Sequence, residues 1–162
     1  MQISVIAEPI ARRAHIGQVD KTGHDYIEHP QRVADRAAII APAQLREEAV
    51  AAAWLHDVVE DTGVTLEDLA AAGMPPLVVE AVDRVTKRPG LPQPAYFAGI
   101  RAHPLALIVK TADLIDNTDP ARVRLLDAAT AQRLGAKYAR SWTMLLGAAE
   151  LPGAGAHGTG RA

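Results

Sequence analysis

The 162-residue sequence has no cysteine. Disulfides, thiolate metal ligands and a cysteine nucleophile are therefore excluded. Aromatic residues make up only 4% of the chain, with a single Phe. A core must then come from Ala, Leu, Val and Ile, which favours close-packed helices over a β-sandwich. Neither sign of charge dominates: the formal net charge is −2. A nucleic-acid polymer is not an expected partner, because the basic excess such binding draws on is missing. No apolar run is long enough to cross a bilayer, so a membrane is not an expected partner either. The opening "MQISVIAEPIARRAH" has no basic segment leading into an apolar one and does not read as a signal peptide. The expected location is the cytoplasm.

Hydrophobic content is 49%, enough for a core that needs no staple. The length suits one domain, expected over residues 1–150. Residues 151–162, "LPGAGAHGTGRA", are Gly- and Ala-rich without periodicity and read as a disordered tail. His157 lies there without a scaffold and is not an expected ligand.

The rest predicts an all-α fold, a compact helical bundle with short loops. Ile3, Ile6, Ile10 and Ala14 recur at helical spacing, and Pro9 predicts a start for that helix near residue 9. His29–Pro30 predicts a helix to about Ile40, with Pro at its first position. Residues 44–61, "QLREEAVAAAWLHDVVED", predict one strong helix. Thr65 and Asp68 predict a capping-box start to a short helix that Gly73 ends. Further helices are expected from Pro76 to about Lys87, from about Ala95 to Arg101, from Pro104 to before Pro120, and from about Asp127 to Ala149.

Within "AWLHDVVEDTG", four ionisable groups fall in six residues, directly after the most apolar helix. Helical spacing sets His56 beside Glu60 and Asp57 beside Asp61 on adjacent strips. Such groups at the end of a buried helix need partners. "YIEHPQRVA" offers His29, and "VKTADLIDN" offers Asp113, Asp116 and Asn117 at spacings of three and four. His29, His56, Asp57 and Asp113 together supply two nitrogens and two oxygens. Without thiolate, that set suits Mn, Fe, Zn or Mg and metal-assisted attack of water on phosphorus. Glu60 and Asp61 are placed to position water and move protons. A charged, solvated helix end is the plainer reading of the same stretch, although carboxylates there oppose the helix dipole.

The His…His-Asp…Asp pattern resembles the HD superfamily of metal-dependent phosphohydrolases. "AHIGQVDKTGHDYIEHPQRVA", "AAAWLHDVVEDTGVT", "VTK" and "VKTADLIDN" resemble the hydrolase domain of RelA/SpoT-type proteins and their small alarmone hydrolase relatives, over residues from about 10 to 120. The resemblance implies an α-helical, Mn²⁺-binding enzyme that removes pyrophosphate from the 3′ position of guanosine tetra- or pentaphosphate, with a small nucleotide as its partner. It implies His29, His56, Asp57 and Asp113 as metal ligands and Glu60 and Asp61 as the water-activating pair. It also implies Asn117 near the nucleoside, Lys21 and Lys87 against the substrate, and Tyr138 holding the nucleotide. The relatives carry Arg–Lys where this chain has Asp20–Lys21, and Pro where it has Asp25. Aspartate cannot stack on a base as arginine does, so base specificity is expected to differ. No synthetase-like stretch follows, so alarmone synthesis is not expected. Hydrolysis of a different nucleotide, and a regulatory nucleotide-binding module without turnover, stand as alternatives.

Overall fold

The stretch "AVAAAWL" lies at the centre of the fold. A computed structural model describes residues 2–147. The expected tail, His157 and the last two residues of the expected final helix lie outside the described residues. Along the chain run α1 (Ser4–Ala14), α2 (Glu28–Ile40), a 3₁₀ turn (Ala43–Leu45), α3 (Arg46–Leu55), α4 (Val58–Asp61), α5 (Leu66–Ala71), α6 (Pro76–Val85), α7 (Gln93–Arg101), α8 (Pro104–Asn117), α9 (Pro120–Val123) and α10 (Ala128–Leu145). The all-α expectation holds: among the described residues the only β pairing is an isolated antiparallel bridge between Val19 and Asp25. No helix among them is long and apolar enough to cross a membrane.

Ala49, Ala51, Ala52, Ala53 and Leu55 of α3 are fully buried, because α1, α2, α6 and α8 all pack on this one helix. Alanine makes that crowding possible. Ala7 and Ala11 on α1, and Ala34 and Ala37 on α2, answer the alanines of α3. Side chains this small let helix axes approach to the short end of the usual 8–10 Å range. Two helix starts, those of α2 and α4, are thereby held close together.

Local signals fix most of the boundaries. Thr65 Oγ1 accepts from the Asp68 amide, and the Asp68 carboxylate accepts from the Thr65 amide, the reciprocal capping box. Gly73 (φ +89°) takes the left-handed conformation that ends α5. Pro76, Pro104 and Pro120 each open a helix.

Four boundaries differ from expectation. α1 starts at Ser4, and Pro9 sits inside it; the Val5 carbonyl that loses its partner belongs to a residue 63% exposed, where water can replace it. α2 starts at Glu28, so Pro30 is its third residue. The Tyr26 carbonyl that residue 30 would have engaged is already taken by the His29 amide at 2.9 Å. The single helix over 44–61 is instead a 3₁₀ turn and two helices, broken at His56–Asp57. There the His56 ring donates from Nδ1 to the Ala53 carbonyl (2.7 Å), which the Asp57 amide would take in an unbroken helix. α9 was not anticipated: Pro120 ends one helix and starts another, capped by the Asp119 side chain on the Ala121 amide.

The packing around α3 leaves no room for larger side chains. Ala52→Leu should destabilise by about 1–3 kcal/mol, read by urea unfolding. Ile39→Ala, at a residue 80% exposed, should stay within about 0.5 kcal/mol. Equal effects at the two positions would contradict this packing.

Candidate active site

Two histidines turn the same nitrogen toward one point. His29, at the start of α2, directs Nδ1 to the Asp116 carboxylate at 2.8 Å. His56, at the break after α3, directs Nδ1 to the Ala53 carbonyl. Both partners are acceptors, so both Nδ1 atoms carry hydrogen. The two Nε2 atoms lie 3.3 Å apart. Asp57 Oδ2 is 3.0 Å from His56 Nε2 and 3.7 Å from His29 Nε2. Asp113 Oδ1, from α8, is 3.3 Å from His29 Nε2 and 3.9 Å from His56 Nε2. Donor atoms of His29, His56 and Asp113 all fall within 4.8 Å of one another, and Asp57 joins them through both imidazoles. Two imidazoles with their outer nitrogens tied back, facing two carboxylates, fit a divalent cation of the borderline to hard kind.

A surrounding set of side chains holds these four. Asp116 is fully buried and meets Arg32 Nε at 3.0 Å, Arg36 Nη2 at 3.3 Å and the Arg122 guanidinium. Lys110, itself buried, donates to Asp113 Oδ2 at 2.7 Å, and Asn117 Nδ2 donates to Asp113 Oδ1. The Tyr26 hydroxyl donates to Asp57 Oδ2 and lies 3.4 Å from Asp61. Of these, Lys110 had a local signal, a lysine closing the run "LALIV" three residues before Asp113. Tyr26 stands three residues before His29. Arg122 had no local signal.

Charge in the cluster is strongly coupled. Burial disfavours charge on His29, but Asp113 and Asp116 outweigh it and raise the imidazole to about 9. His56 is raised for the same reason, by Asp57. Burial would lift Asp57 and Asp113, yet His56 and His29, with Lys110 beside Asp113, hold both below the usual carboxylate range. Asp116 is pulled to about 2 by His29 and Arg32 against its burial. Asp61 moves the other way: burial and the charges of Asp57 and Glu60 raise it.

The cluster forms one side of a cavity of about 620 Å³, a size that suits a nucleotide-scale ligand. His29, Asp57, Glu60, Asp61 and Asp113 line it, and so do Lys21, Lys87, Asn117 and Tyr138. His56 lies behind them. Every expected metal-ligating, catalytic and substrate-binding residue thus comes to this one place. Two residues here have partners the sequence did not suggest: Lys87 bonds Glu60 through its amide (2.8 Å) and its ammonium (3.0 Å), and Asp20 faces Arg122 (3.2 Å). Lys137 also lines the cavity. Its ammonium is lowered by burial and by the charges of Lys87, Lys21 and Lys110, so these lysines share one positive field.

The HD domain family profile matches residues 7–102, a span that includes every residue singled out before α8. The guanosine-3′,5′-bis(diphosphate) 3′-pyrophosphohydrolase of Haemophilus influenzae is 50% identical over 78 residues, 48% of this chain and 11% of the relative. The bifunctional (p)ppGpp synthase/hydrolase SpoT of Escherichia coli is 47% identical over 60 residues, 37% of this chain and 8% of the relative. A probable GTP pyrophosphokinase of Mycobacterium leprae is 37% identical over 117 residues, 67% of this chain and 14% of the relative. The chain thus spans about a tenth of the length of the curated relatives it matches.

Two outcomes follow from the geometry. Asp116→Asn should weaken divalent-cation binding by about 10–100-fold, measured by titration calorimetry. Protons compete with a cation for His29. In the ion-free protein, the stability His29 contributes is full below about 6.5 and lost as pH rises through about 9. The gain in Tm on adding Mn²⁺ should therefore grow between pH 6.5 and 9; a gain that shrinks over that window would contradict the assignment.

Proposed function

The chain belongs to the HD domain family, and from that premise we propose that it is a Mn²⁺-dependent phosphohydrolase that removes pyrophosphate from the 3′ position of guanosine 3′,5′-bis(diphosphate) or its pentaphosphate form. The observation that carries this reading is the convergence of His29, His56, Asp57 and Asp113 on one point, beside a cavity that Glu60 and Asp61 line together with Lys21, Lys87 and Lys137. The identity with named 3′-pyrophosphohydrolases supports the choice of substrate. A net charge of −2 fits a small nucleotide better than a polymer, and the cytoplasm is the proposed location.

His29, His56, Asp57 and Asp113 would hold the cation. When bound, the cation supplies Lewis-acid polarisation of a phosphoryl oxygen and a lowered pKa for water. The chain's own residues do the rest. Water attacks the phosphorus attached to the ribose 3′ oxygen. The P–O3′ bond breaks, the 3′ oxygen takes up a proton, and pyrophosphate is released. Asp61 is the proton acceptor, because burial and its acidic neighbours raise its carboxyl. Tyr26, hydrogen-bonded to Asp57 and 3.4 Å from Asp61, keeps ligand and base in register. Glu60 orients the water, and Lys87 exchanges Glu60 for a phosphate oxygen as substrate enters. Lys21 and Lys137 neutralise further phosphate charge, while Asn117 and Tyr138 border the nucleoside.

Mn²⁺-loaded protein should release pyrophosphate from guanosine 3′,5′-bis(diphosphate). Asp61→Asn should lower kcat by about 10²–10⁴-fold with metal content unchanged. Metal-loaded wild type that leaves the nucleotide intact would sink the proposal.

A further inference from the structure

Asp20 and Arg122 meet where the loop after α1 approaches α9. Asp20 Oδ1 accepts from the Thr22 amide (2.8 Å), the Thr22 hydroxyl (2.6 Å) and the His24 amide (3.2 Å). This carboxylate closes its own loop, which leaves Oδ2 to face Arg122 Nη2 at 3.2 Å. The other arm of the guanidinium, Nη1, donates to Asp116. Arg122 is therefore held at both ends by carboxylates, in a fixed plane and with its charge compensated. Its side chain nevertheless stays 22% exposed and lines the cavity. Apolar side chains adjoin it in sequence and line the same cavity: Val123 beside it, Leu126 after it, and Val19 next to Asp20.

Asp116 is shared with Arg32, Arg36 and His29, so it is Asp20 that offsets the charge Arg122 could turn on phosphate. The guanidinium still offers a flat, weakly hydrated face, which stacks on planar rings in a way an ammonium cannot. Phosphate-directed charge comes from the lysines instead. We infer that Arg122 is the residue that stacks on the nucleobase, with Asp20 as its holder rather than a substrate contact. The inference rests on the reading of the site as one for a nucleotide, and it names the wall that recognises the base. Specificity then turns on a pair that spans 102 residues of sequence, not on the loop alone.

The test is calorimetric binding of guanosine 5′-diphosphate and of ribose 5-diphosphate, which lacks the base, to Mn²⁺-loaded wild type, Arg122→Lys and Arg122→Gln. Wild type should bind the nucleotide more tightly than the abasic compound. Both variants should bind guanosine 5′-diphosphate about tenfold more weakly, the scale of one stacking contact. With Mn²⁺ held at saturation for every variant, ribose 5-diphosphate binding should be unchanged. Equal losses for the two ligands would make Arg122 a phosphate contact or a support for His29, and would overturn the inference. No loss for either ligand would also overturn it. Turnover is not the readout, so wild type that hydrolyses guanosine 3′,5′-bis(diphosphate) while failing this test would leave the proposed function standing.

Discussion

The site depends on where two imidazole protons are. With Nδ1 of His29 committed to Asp116 and Nδ1 of His56 to the Ala53 carbonyl, both Nε2 lone pairs are left for the same point. Turning either ring would remove a nitrogen from the cluster. Asp116 can hold its side because Arg32, Arg36 and Arg122 surround it and keep it ionised in a fully buried position. His56 holds its side by taking a carbonyl from the helix that carries it. The break between α3 and α4 is thus part of the proposed metal centre.

Packing and chemistry are linked through α3. Its alanines bring α1 and α2 close, and that closeness sets the His29 and His56 rings 5.1 Å apart. A core of larger side chains would bury as much apolar surface with the two helix starts further apart. The cost of so many buried charges is met by pairing: Lys110 with Asp113, the histidines with Asp57 and Asp116, the arginines with Asp116. Removing one member would leave another charged and buried without a partner. A divalent cation would supply Asp57 and Asp113 with the positive charge that these carboxylates now favour on the imidazoles.

What the sequence reveals follows the range of the interactions. Prolines, the Thr65–Asp68 box and Gly73 act within a few residues, and they located most of the helices. Of the clustered residues, His56, Asp57 and Asp113 were legible because each follows an apolar run, and His29 because it precedes a proline at a helix start. The His56–Asp57 break was not, because helical periodicity continues through it and only a side-chain hydrogen bond interrupts the backbone. Arg122 was invisible because its partners, Asp20 and Asp116, come from different elements. The contrast between Asp20 and Lys87 is instructive. Lys87 was expected against the substrate and Asp20 to alter base specificity, yet each answers an opposite charge in the fold, Asp20 to Arg122 and Lys87 to Glu60. A charged residue of this kind must be read together with the opposite charge it faces in the fold.

The central claim is that His29, His56, Asp57 and Asp113 share one cation. Crystals soaked with Mn²⁺ and measured for anomalous diffraction test it directly. The account predicts a single strong peak enclosed by His29 Nε2, His56 Nε2 and the carboxylates of Asp57 and Asp113. A peak between Glu60 and Asp61 with none at the histidines, or no peak at all, would contradict it.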